Sequence, residues 1–414
     1  MPNTTITAVK GIRAAAMHCG IKASGKPDLA LLVSDVPAVA AAVFTRNKVV
    51  GAPVIIGRRH IRRGILRACI TNSGCANVCT GDRGLEDAVE MCALTARNTA
   101  AALEQTIRSE EILPFSTGVI GHFLPMEKIR AGIPQLVPQL SNTEAAGQAF
   151  AQGILTTDLV AKSAHATLNL GGKTITIAGH CKGSGMIAPD MGPANGPKHA
   201  TMLAYVATDA VIDRRALTGL TTAVADESFN CVTVDQHTST SDTFCVMATG
   251  LAGNRSILSG SNLKKFHAAF LEVCDSLARQ IARDGEGATK LVTVIVTGAA
   301  NDADARRAAF AIANSPLCKT AIHGGDPNWG RFVSAAGYSG AKMNPDKALC
   351  EVGPITVFKN GRPSAADLSQ VQAVMKQELL TIAVDLGTAG RASHRVYTCD
   401  LSREYIAINA DYHT

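Results

Sequence analysis

The sequence predicts an α+β fold in which strands and helices alternate in both halves of the chain. The 414 residues are 46% hydrophobic and 18% charged, which permits a large core and excludes global disorder. Runs of β-branched residues alternate with segments whose apolar residues recur at helical spacing. Only 4% of the residues are aromatic, so Ala, Val, Leu and Ile must build the core. The length allows two or three domain-sized units, or one large layered unit.

The first half of the chain predicts strands, then helices, then a hairpin. β-branched and apolar residues predict strands at Val49–Gly57 and Ile65–Asn72. Helical spacing predicts three helices at Leu85–Gln105, Met126–Leu140 and Thr143–Ile154, the last capped by Asn142 or Thr143. Gly171-Gly172 predicts a tight turn between strands at Ala166–Leu170 and Thr174–Ala178.

The second half mixes strands and helices in the same way. The predicted strands are Met202–Thr208, a buried strand at Leu291–Thr297, and short strands at Ile355–Val357, Thr381–Asp385 and Val396–Asp400. The predicted helices are Leu263–Arg283 and Asp302–Asn314. The least regular stretch is Lys182–His199, which is rich in Gly and Pro and is interpreted as an exposed, cleavable or functional loop.

Charge and cysteine content narrow the class of protein. The net charge is +6, and a basic cluster (Arg58, Arg59, His60, Arg62, Arg63 and Arg67) is interpreted as a solvated loop, with an anionic small molecule as the alternative ligand. No apolar run is long enough for a transmembrane helix, and the first residues do not resemble a signal peptide. The twelve cysteines form no CxxC pair, so we expect reduced core thiols, no metal site and a cytoplasmic location.

Two polar segments that contain glycine suggest sites for chemistry. Ser116–Gly121 (STGVIG) follows a predicted strand, and its Thr-Gly turn can aim a hydroxyl and backbone N–H groups at one point, as an oxyanion hole requires. An ordinary turn is the alternative. Asp284–Lys290 (DGEGATK) lies between a helix and a buried strand, where the alternative is a glycine turn that ends the helix.

A third segment suggests self-cleavage. Ala200-Thr201 places a small residue and a threonine at the start of a predicted strand. Cleavage before Thr201 would free its α-amine, whose pKa of about 8 suits a general base for its own hydroxyl. The alternative is that Thr201 is there for its β-propensity alone.

These segments, in this order, resemble the ornithine acetyltransferase family, the glutamate N-acetyltransferases of arginine biosynthesis. The resemblance covers the chain from end to end. The matching blocks are Thr7–Ala15, Asp28–Val36, Thr71–Thr80, Gly84–Ala88, Ser116–Gly121, Thr156–Asp158, Lys182–Pro189, Ala200–Ala210, Ser228–Thr243, Ala282–Lys290, Ser315–Gly340 and Asn409–Thr414.

The resemblance implies a fold, a maturation step and a reaction. The fold is a layered αββα sandwich of the self-cleaving N-terminal-nucleophile kind, with a mixed α/β C-terminal part. Cleavage at Ala200–Thr201 gives an α chain (1–200) and a β chain (201–414), and two of each form a heterotetramer. Thr201 then takes an acetyl group from N-acetylornithine and passes it to glutamate. No metal or organic cofactor is implied, although acetyl-CoA is a further donor in some members.

The resemblance also assigns roles to individual residues. Thr117 and Gly118 match the oxyanion-hole positions. The substrate-contacting positions match Thr156, Lys182, Thr201, Glu286, Asn409 and Thr414, with Thr157 as an alternative to Thr156. A zwitterionic amino acid needs a cation such as Lys182 and an anion such as Glu286, which agrees with these assignments.

Two features depart from the family pattern. Eight residues, Gly192–His199, are inserted between Met191 and the predicted cleavage site, and we expect cleavage to survive because loop lengthening costs little, about 0.6 kcal/mol per doubling. Gln236-His237 stands where the family has a glycine and an acidic residue. Two other functions stay open: an aminopeptidase or amidase on the same scaffold, and an uncleaved, non-catalytic homologue that binds or regulates.

Overall fold

The computed structural model describes residues 3–193 and 202–411, which form two compact units. The first unit contains residues 3–193, 202–230 and 237–277, and the second contains residues 231–236 and 278–411. Both units combine a sheet with helices, so the predicted α+β class with layers of sheet and helix is confirmed. No helix within these residues is long and apolar enough to cross a membrane.

The first unit is built on a nine-stranded mixed sheet. Its strands are β1 (Ile12–Met17), β2 (Leu29–Thr45), β3 (Ile65–Cys75), β4 (Ile112–Val119), β5 (Lys162–Leu170), β6 (Lys173–Lys182), β7 (Met191–Gly192), β8 (Leu203–Thr208) and β9 (Thr243–Ala248). They run in the order β4-β3-β2-β9-β8-β6-β5, with β1 and β7 also paired to β2. The β3–β4 and β8–β9 pairs are parallel, and the others are antiparallel.

Helices cover both faces of this sheet. They are α1 (Ala52–His60), α2 (Gly81–Leu103), α3 (Met126–Leu136), α4 (Glu144–Gly153), α5 (Arg214–Glu227) and α6 (Gly260–Arg283), of which α6 continues into the second unit. Alternate residues of β2 face opposite ways: Leu31 packs in the cluster that contains α2 and α3, whereas Leu32 packs in the cluster that contains α4. Burial on both faces makes β2 a nearly continuous apolar run.

The second unit is a six-stranded sheet with helices. Its strands are β10 (Leu291–Ala299), β11 (Leu349–Val352), β12 (Ile355–Lys359), β13 (Arg362–Pro363), β14 (Leu379–Asp385) and β15 (Ala392–Cys399), in the order β13-β12-β11-β14-β10-β15. Its further helices are α7 (Asp302–Asn314), α8 (Pro316–Gly324), α9 (Gly330–Tyr338), α10 (Leu368–Met375) and α11 (Arg403–Asp411). Val292, Val294 and Val296 of β10 pack in the same core as Ala308 of α7.

The predicted strand at Val49–Gly57 is wrong, because this segment forms α1. Gly51 is extended, and Pro53 lies in the first turn of the helix, where its missing N–H costs nothing. The β-branched residues suggested a strand, but burial of one helix face outweighs that preference. The basic cluster is therefore not a loop. Arg58, Arg59 and His60 form the last turn of α1, where cations interact favourably with the helix dipole. Arg62 and Arg63 lie in the 3-10 turn that follows, and Arg67 is buried in β3.

The other predicted helices and strands agree with the structure to within a few residues. The exposure predicted for the loop Lys182–His199 is wrong for its described part, residues 182–193, which is mostly buried because β7 pairs with β2 there. Thr143 caps α4 by accepting a hydrogen bond from the Ala146 N–H, and Gly171-Gly172 joins β5 to β6. The end of the predicted helix Met126–Leu140 is a 3-10 turn, Val137–Gln139. All twelve cysteines are free and ten of them are buried, which confirms the prediction of reduced core thiols.

Candidate active site

Thr117 and Gly118 lie at the end of β4, where its pairing with β3 becomes irregular. Thr117 is buried, and a register shift between Gly74 and Cys75 interrupts the ladder at this level. Gly118 has a φ of 130°, and a Cβ built on it would lie 2.3 Å from the backbone carbon of Gly74. Conformation and space both require glycine here. An irregular ladder of this kind leaves backbone groups outside the sheet pairing, as an oxyanion donor requires.

Lys182 lies at the end of β6 in a buried cluster of charges. It pairs with Leu203, the second residue after Thr201 in the chain. Its ammonium lies 3.8 Å from Asp158 Oδ2, and its side chain is 5% exposed. Asp158 Oδ1 also accepts a hydrogen bond of 2.7 Å from the ammonium of Lys162, whose side chain is fully buried. The predicted substrate cation is therefore part of a buried, charged group.

The Asp158 carboxylate connects Lys182 to Thr156, another predicted substrate contact. Asp158 Oδ2 accepts a hydrogen bond of 3.2 Å from the Thr156 N–H, and Oδ1 accepts one of 2.6 Å from the Gly183 N–H. Burial raises the pKa of Asp158, but the charges of Lys182 and Lys162 and these hydrogen bonds outweigh it. The pKa is therefore held well below its usual range, and Asp158 is a carboxylate at neutral pH.

Asp242 is a second buried carboxyl near Lys182. Its side-chain oxygens have no hydrogen-bond partner among the described residues. Burial raises the pKa of Asp242 well above its usual range, against the lowering effect of the Lys182 charge. The residue after it, Thr243, donates its backbone N–H to the carbonyl of Met202, which follows Thr201 in the chain. Asp242 therefore lies at the same edge of the sheet as the start of β8, because β8 and β9 are parallel.

A further lysine lies beside the Thr117–Gly118 turn. The ammonium of Lys22 donates hydrogen bonds to the carbonyls of Pro27 (2.7 Å) and Leu155 (2.8 Å). Its Cγ lies 3.2 Å from where a Cβ on Gly74 would be. The pKa of Lys22 is lowered to about 8, chiefly by burial and also by the charge of Lys182, while the carboxylates of Asp28 and Asp158 oppose the shift. Lys22 thus adds positive potential to the same region of the first unit.

The chain segments on both sides of residues 194–201 are anchored to the same sheet. Gly192 of β7 pairs with Phe44 of β2, and Phe44 pairs on its other side with Thr243 of β9. Thr243 in turn is hydrogen-bonded to Met202. Three strand spacings of about 4.8 Å place the two anchors about 14 Å apart, a distance that nine residues span easily.

In the second unit, Glu286 and Asn409 are in direct contact. The Asn409 side-chain amide donates a hydrogen bond of 2.9 Å to Glu286 Oε2. Glu286 lies in the turn after α6 and is buried, whereas Asn409 lies in α11. The predicted pair of polar substrate contacts is thus brought together from positions 123 residues apart.

Two further residues, Ser402 and Asp400, hold the Glu286 turn in place. Gly287 has a φ of 66°, and its carbonyl accepts a hydrogen bond of 2.7 Å from Ser402, just before α11. Asp400 accepts hydrogen bonds from the backbone N–H groups of Thr289 and Lys290, and from the ring of His323. The turn therefore has a fixed position relative to α11. It does not merely end α6.

Three predicted site residues lie outside the described residues: Ala200, Thr201 and Thr414. Their roles stay predictions, as does the division into chains 1–200 and 201–414. Within 3–193 and 202–411, no group of three or more His, Cys, Asp or Glu side chains is placed to hold a metal ion.

Sequence reasoning missed Asp158, Lys162 and Asp242 as members of the site. Asp158 and Lys162 are four residues apart, a spacing that predicts contact only on a helix, and here they lie in a loop and a strand. Asp242 carries no motif of its own. Only the pairing of strands that are distant in the sequence shows that these residues lie near Lys182.

Comparison with known proteins identifies the family. A model of the ArgJ family matches residues 13–414. The arginine biosynthesis bifunctional protein ArgJ of Geobacillus kaustophilus is 44% identical over 412 residues, covering 99% of this chain and 96% of that protein. The protein of the same name from Geobacter sulfurreducens is 46% identical over 409 residues, covering 98% of this chain and 100% of that protein.

A solved structure is also similar to part of the chain. The crystal structure of an ArgJ protein from Bacillus halodurans has 43% sequence identity, covers 49% of this chain and 96% of that chain, and has a TM-score of 0.48. The family assignment rests on the family model and on the sequence relatives, both of which span nearly the whole chain. The chain therefore belongs to the ArgJ family, the ornithine acetyltransferase family that its sequence resembles, and it is an acyltransferase that moves an acetyl group between ornithine and glutamate.

Proposed function

We propose that the chain transfers an acetyl group from N-acetylornithine to glutamate through an acyl-enzyme on Thr201, after cutting itself between Ala200 and Thr201. The observation that carries this proposal is the buried Lys182 at the end of β6, paired with the second residue after Thr201. A cation there suits the carboxylate of an amino-acid substrate next to a new chain end.

The transfer proceeds in two half-reactions with one intermediate. The Thr201 hydroxyl loses its proton to the α-amine of the same residue and attacks the acetyl carbonyl of N-acetylornithine. The C–N bond then breaks, the ornithine amine takes up that proton, and an acetyl ester remains on Thr201. The glutamate amine attacks the ester, which restores the hydroxyl. Thr117 and Gly118 stabilise the oxyanion in both steps.

Self-cleavage uses the same hydroxyl and oxyanion donors on the chain itself, but not the α-amine, because that nitrogen is still in the Ala200–Thr201 amide bond and takes up the hydroxyl proton when the bond breaks. The Thr201 hydroxyl attacks the Ala200 carbonyl, the amide becomes an ester, and water hydrolyses the ester to leave Ala200 as one chain end and Thr201 as the other. The strand pairing is intact on both sides of residues 194–201, because Met191 and Gly192 pair with β2 and Leu203–Thr208 pairs with β9. Two anchors about 14 Å apart tolerate the longer loop.

The cleaved chains stay together because they share one sheet. β6 precedes residue 200, and β8 follows it, yet they pair along six residues each. β2 and β9 form a second ladder across the cleavage site. The α and β chains therefore form a stable heterodimer, and two such heterodimers form the enzyme, which acts in the cytoplasm.

Glu286 and Asn409 supply the polar contacts of the second unit. The buried Glu286 carboxylate binds the ammonium of the amino-acid substrate, and the Asn409 amide holds that carboxylate in place. Thr156 and Thr414 complete the substrate contacts that the family pattern assigns.

An acceptor-dependence assay tests the proposed reaction against its rivals. Purified protein is given N-acetylornithine with and without glutamate, and free ornithine and N-acetylglutamate are measured. Transfer predicts that ornithine release needs glutamate beyond a single turnover. Equal rates without glutamate would instead indicate an amidase, and no release at all would indicate a non-catalytic homologue.

Acetyl-CoA is a second donor to test in the same assay. The relatives in Geobacillus kaustophilus and Geobacter sulfurreducens are both named bifunctional. Formation of N-acetylglutamate from acetyl-CoA and glutamate, without N-acetylornithine, would establish this second activity.

A further inference from the structure

The Asp158 carboxylate is the common partner of two residues that the family pattern assigns to substrate binding. Its side chain is fully buried in the loop before β5. The N–H groups of Thr156 and Gly183 donate hydrogen bonds to it, and the Lys182 ammonium lies within ion-pair distance. Thr156 and Lys182 are predicted substrate contacts, and Gly183 is next to Lys182. A carboxylate whose role was only to neutralise the charge of Lys162 would not need the contacts with Thr156, Gly183 and Lys182.

The ammonium groups of Lys162 and Lys182 lie at different distances from Asp158, which indicates different roles. Lys162 is hydrogen-bonded to Asp158 at 2.7 Å and to the Val160 carbonyl at 3.3 Å, with its side chain fully buried. Lys182 lies at 3.8 Å, within ion-pair range but beyond a hydrogen bond. Lys162 is thus the structural counter-ion of Asp158. Asp158 attracts and orients the Lys182 ammonium but accepts no hydrogen bond from it, so the ammonium can still donate to a substrate.

The charges of this cluster do not cancel. Among the described residues around Lys182, one carboxylate, Asp158, faces two ammonium groups. Burial raises the pKa of Asp242, a buried acidic residue near Lys182, well above its usual range and so disfavours its charged form. The cluster therefore carries an excess positive charge close to Lys182, which a substrate carboxylate can neutralise.

We infer that Asp158 is a positioning residue for substrate binding, which holds the Lys182 ammonium and the Thr156 backbone in place for the carboxylate of the amino-acid substrate while Lys162 serves as its counter-ion. This inference rests on the proposed function, since that proposal makes Lys182 and Thr156 substrate contacts. It assigns no role in bond making to Asp158.

The test is the isosteric variant Asp158→Asn in the full chain, allowed to mature as the wild type does. We expect KM for N-acetylornithine and for glutamate to rise about 10-fold or more, the cost of losing a charge-assisted contact, while kcat changes less than about 3-fold. Binding of glutamate, measured by calorimetry, should weaken by the same factor. If Asp158 had only a structural role, the variant would be less stable but would not show a raised KM with a nearly unchanged kcat.

Asp209→Asn is the matched control. Asp209 is also fully buried and accepts a backbone hydrogen bond, of 2.8 Å from Thr176, but at the opposite end of β6. Thr176 is six residues from Lys182, about 20 Å along the strand. Asp209→Asn should leave both KM values unchanged. If Asp158→Asn does not fold, Asp158→Asn combined with Lys162→Met removes the buried pair together and should raise KM as the single variant does.

The outcomes separate this inference from the proposed function. Normal transfer by the wild type, with unchanged KM in a folded, cleaved Asp158 variant, would overturn the role of Asp158 alone. Absence of transfer in the wild type would overturn the proposed function and this inference with it. An equal rise in KM in Asp209→Asn would also overturn the inference, because the effect would then not be local.

Discussion

At the scale of single residues, backbone conformation explains why the family has a glycine at position 236, where this chain has Gln236. Gln236 stands where the family has a glycine, and its φ is 62°. Glycine adopts this left-handed region at no steric cost, whereas other residues pay roughly 1–2 kcal/mol. The family pattern thus reflects a backbone requirement at this position, which the present chain meets with strain.

We therefore expect Gln236→Gly to stabilise the protein. The gain should be about 0.5–1 kcal/mol, because the greater flexibility of glycine in the unfolded chain offsets part of the relieved strain. The thermal midpoint measures it. Asn360→Gly is the control: its φ is 54°, and asparagine tolerates this region, so its midpoint should rise less. A lower midpoint for Gln236→Gly would contradict this interpretation.

Asp242 gives a pH-dependent prediction. Its pKa is raised in the folded protein by burial, so the unfolded chain loses this proton first, from about pH 3.9 upward. The contribution of Asp242 to stability is therefore fully present below that pH and is lost as pH rises through the folded pKa.

Asp242→Asn should remove the loss of folding stability that ionisation of Asp242 causes as pH rises. Relative to the wild type, the variant should gain stability as pH increases from 4 to 8, as measured by denaturant unfolding at each pH. Asp158→Asn should behave differently, because the pKa of Asp158 is lowered and its stabilisation is already present above the unfolded pKa of about 3.9. This variant should lose stability relative to the wild type mainly as pH rises towards that value, and should stay level from pH 4 to 8. Parallel pH profiles for the two variants would show that their environments do not differ as described.

At the scale of elements, the sequence predicted those whose signals are local. Thr143 as a cap and Gly171-Gly172 as a turn depend on a few adjacent residues, and both were found where expected. The helix α1 was mistaken for a strand, because Val54, Ile55 and Ile56 have high strand propensity and only packing decides otherwise. The sequence did not predict long-range strand pairing, such as that between β2 and β9.

The irregular end of β3 and β4 predicts the effect of a methyl group at Gly118. Gly118→Ala would place its Cβ 2.3 Å from the backbone of Gly74, so the turn must move. Displacing one oxyanion donor costs about 10²- to 10³-fold in kcat. Steady-state kinetics on N-acetylornithine and glutamate measure this loss.

Gly121→Ala is the control within the same segment. Gly121 also has a positive φ, of 84°, but nothing lies within 4 Å of an added Cβ. It should cost only about 1 kcal/mol of stability and leave kcat within a few-fold of the wild type. Equal losses of kcat in both variants would indicate general strain and not an oxyanion role.

At the scale of the whole molecule, the site was predictable only through the family resemblance. That resemblance identified Lys182, Glu286 and Asn409, and the structure brings Glu286 and Asn409 into contact. It did not identify Asp158 or Lys162, because their roles arise from contacts between a loop and two strands that composition and spacing do not encode.

A pair of variants tests whether Thr201 carries both maturation and catalysis. Thr201→Ala lacks the hydroxyl, so it should remain one chain and form no product. Thr201→Ser keeps a hydroxyl at the same position and should still be cleaved, although more slowly. Cleavage and transfer by Thr201→Ala would show that another residue is the nucleophile.

The most direct test of the central claim is the mass of the purified protein under denaturing conditions. Self-cleavage predicts two chains of about half of 43.1 kDa each, the second with Thr201 as its first residue. The two chains should elute together under native conditions, because β6–β8 and β2–β9 pair across the cut. A single 43.1 kDa chain that stays intact for days and nevertheless transfers acetyl groups would contradict the account.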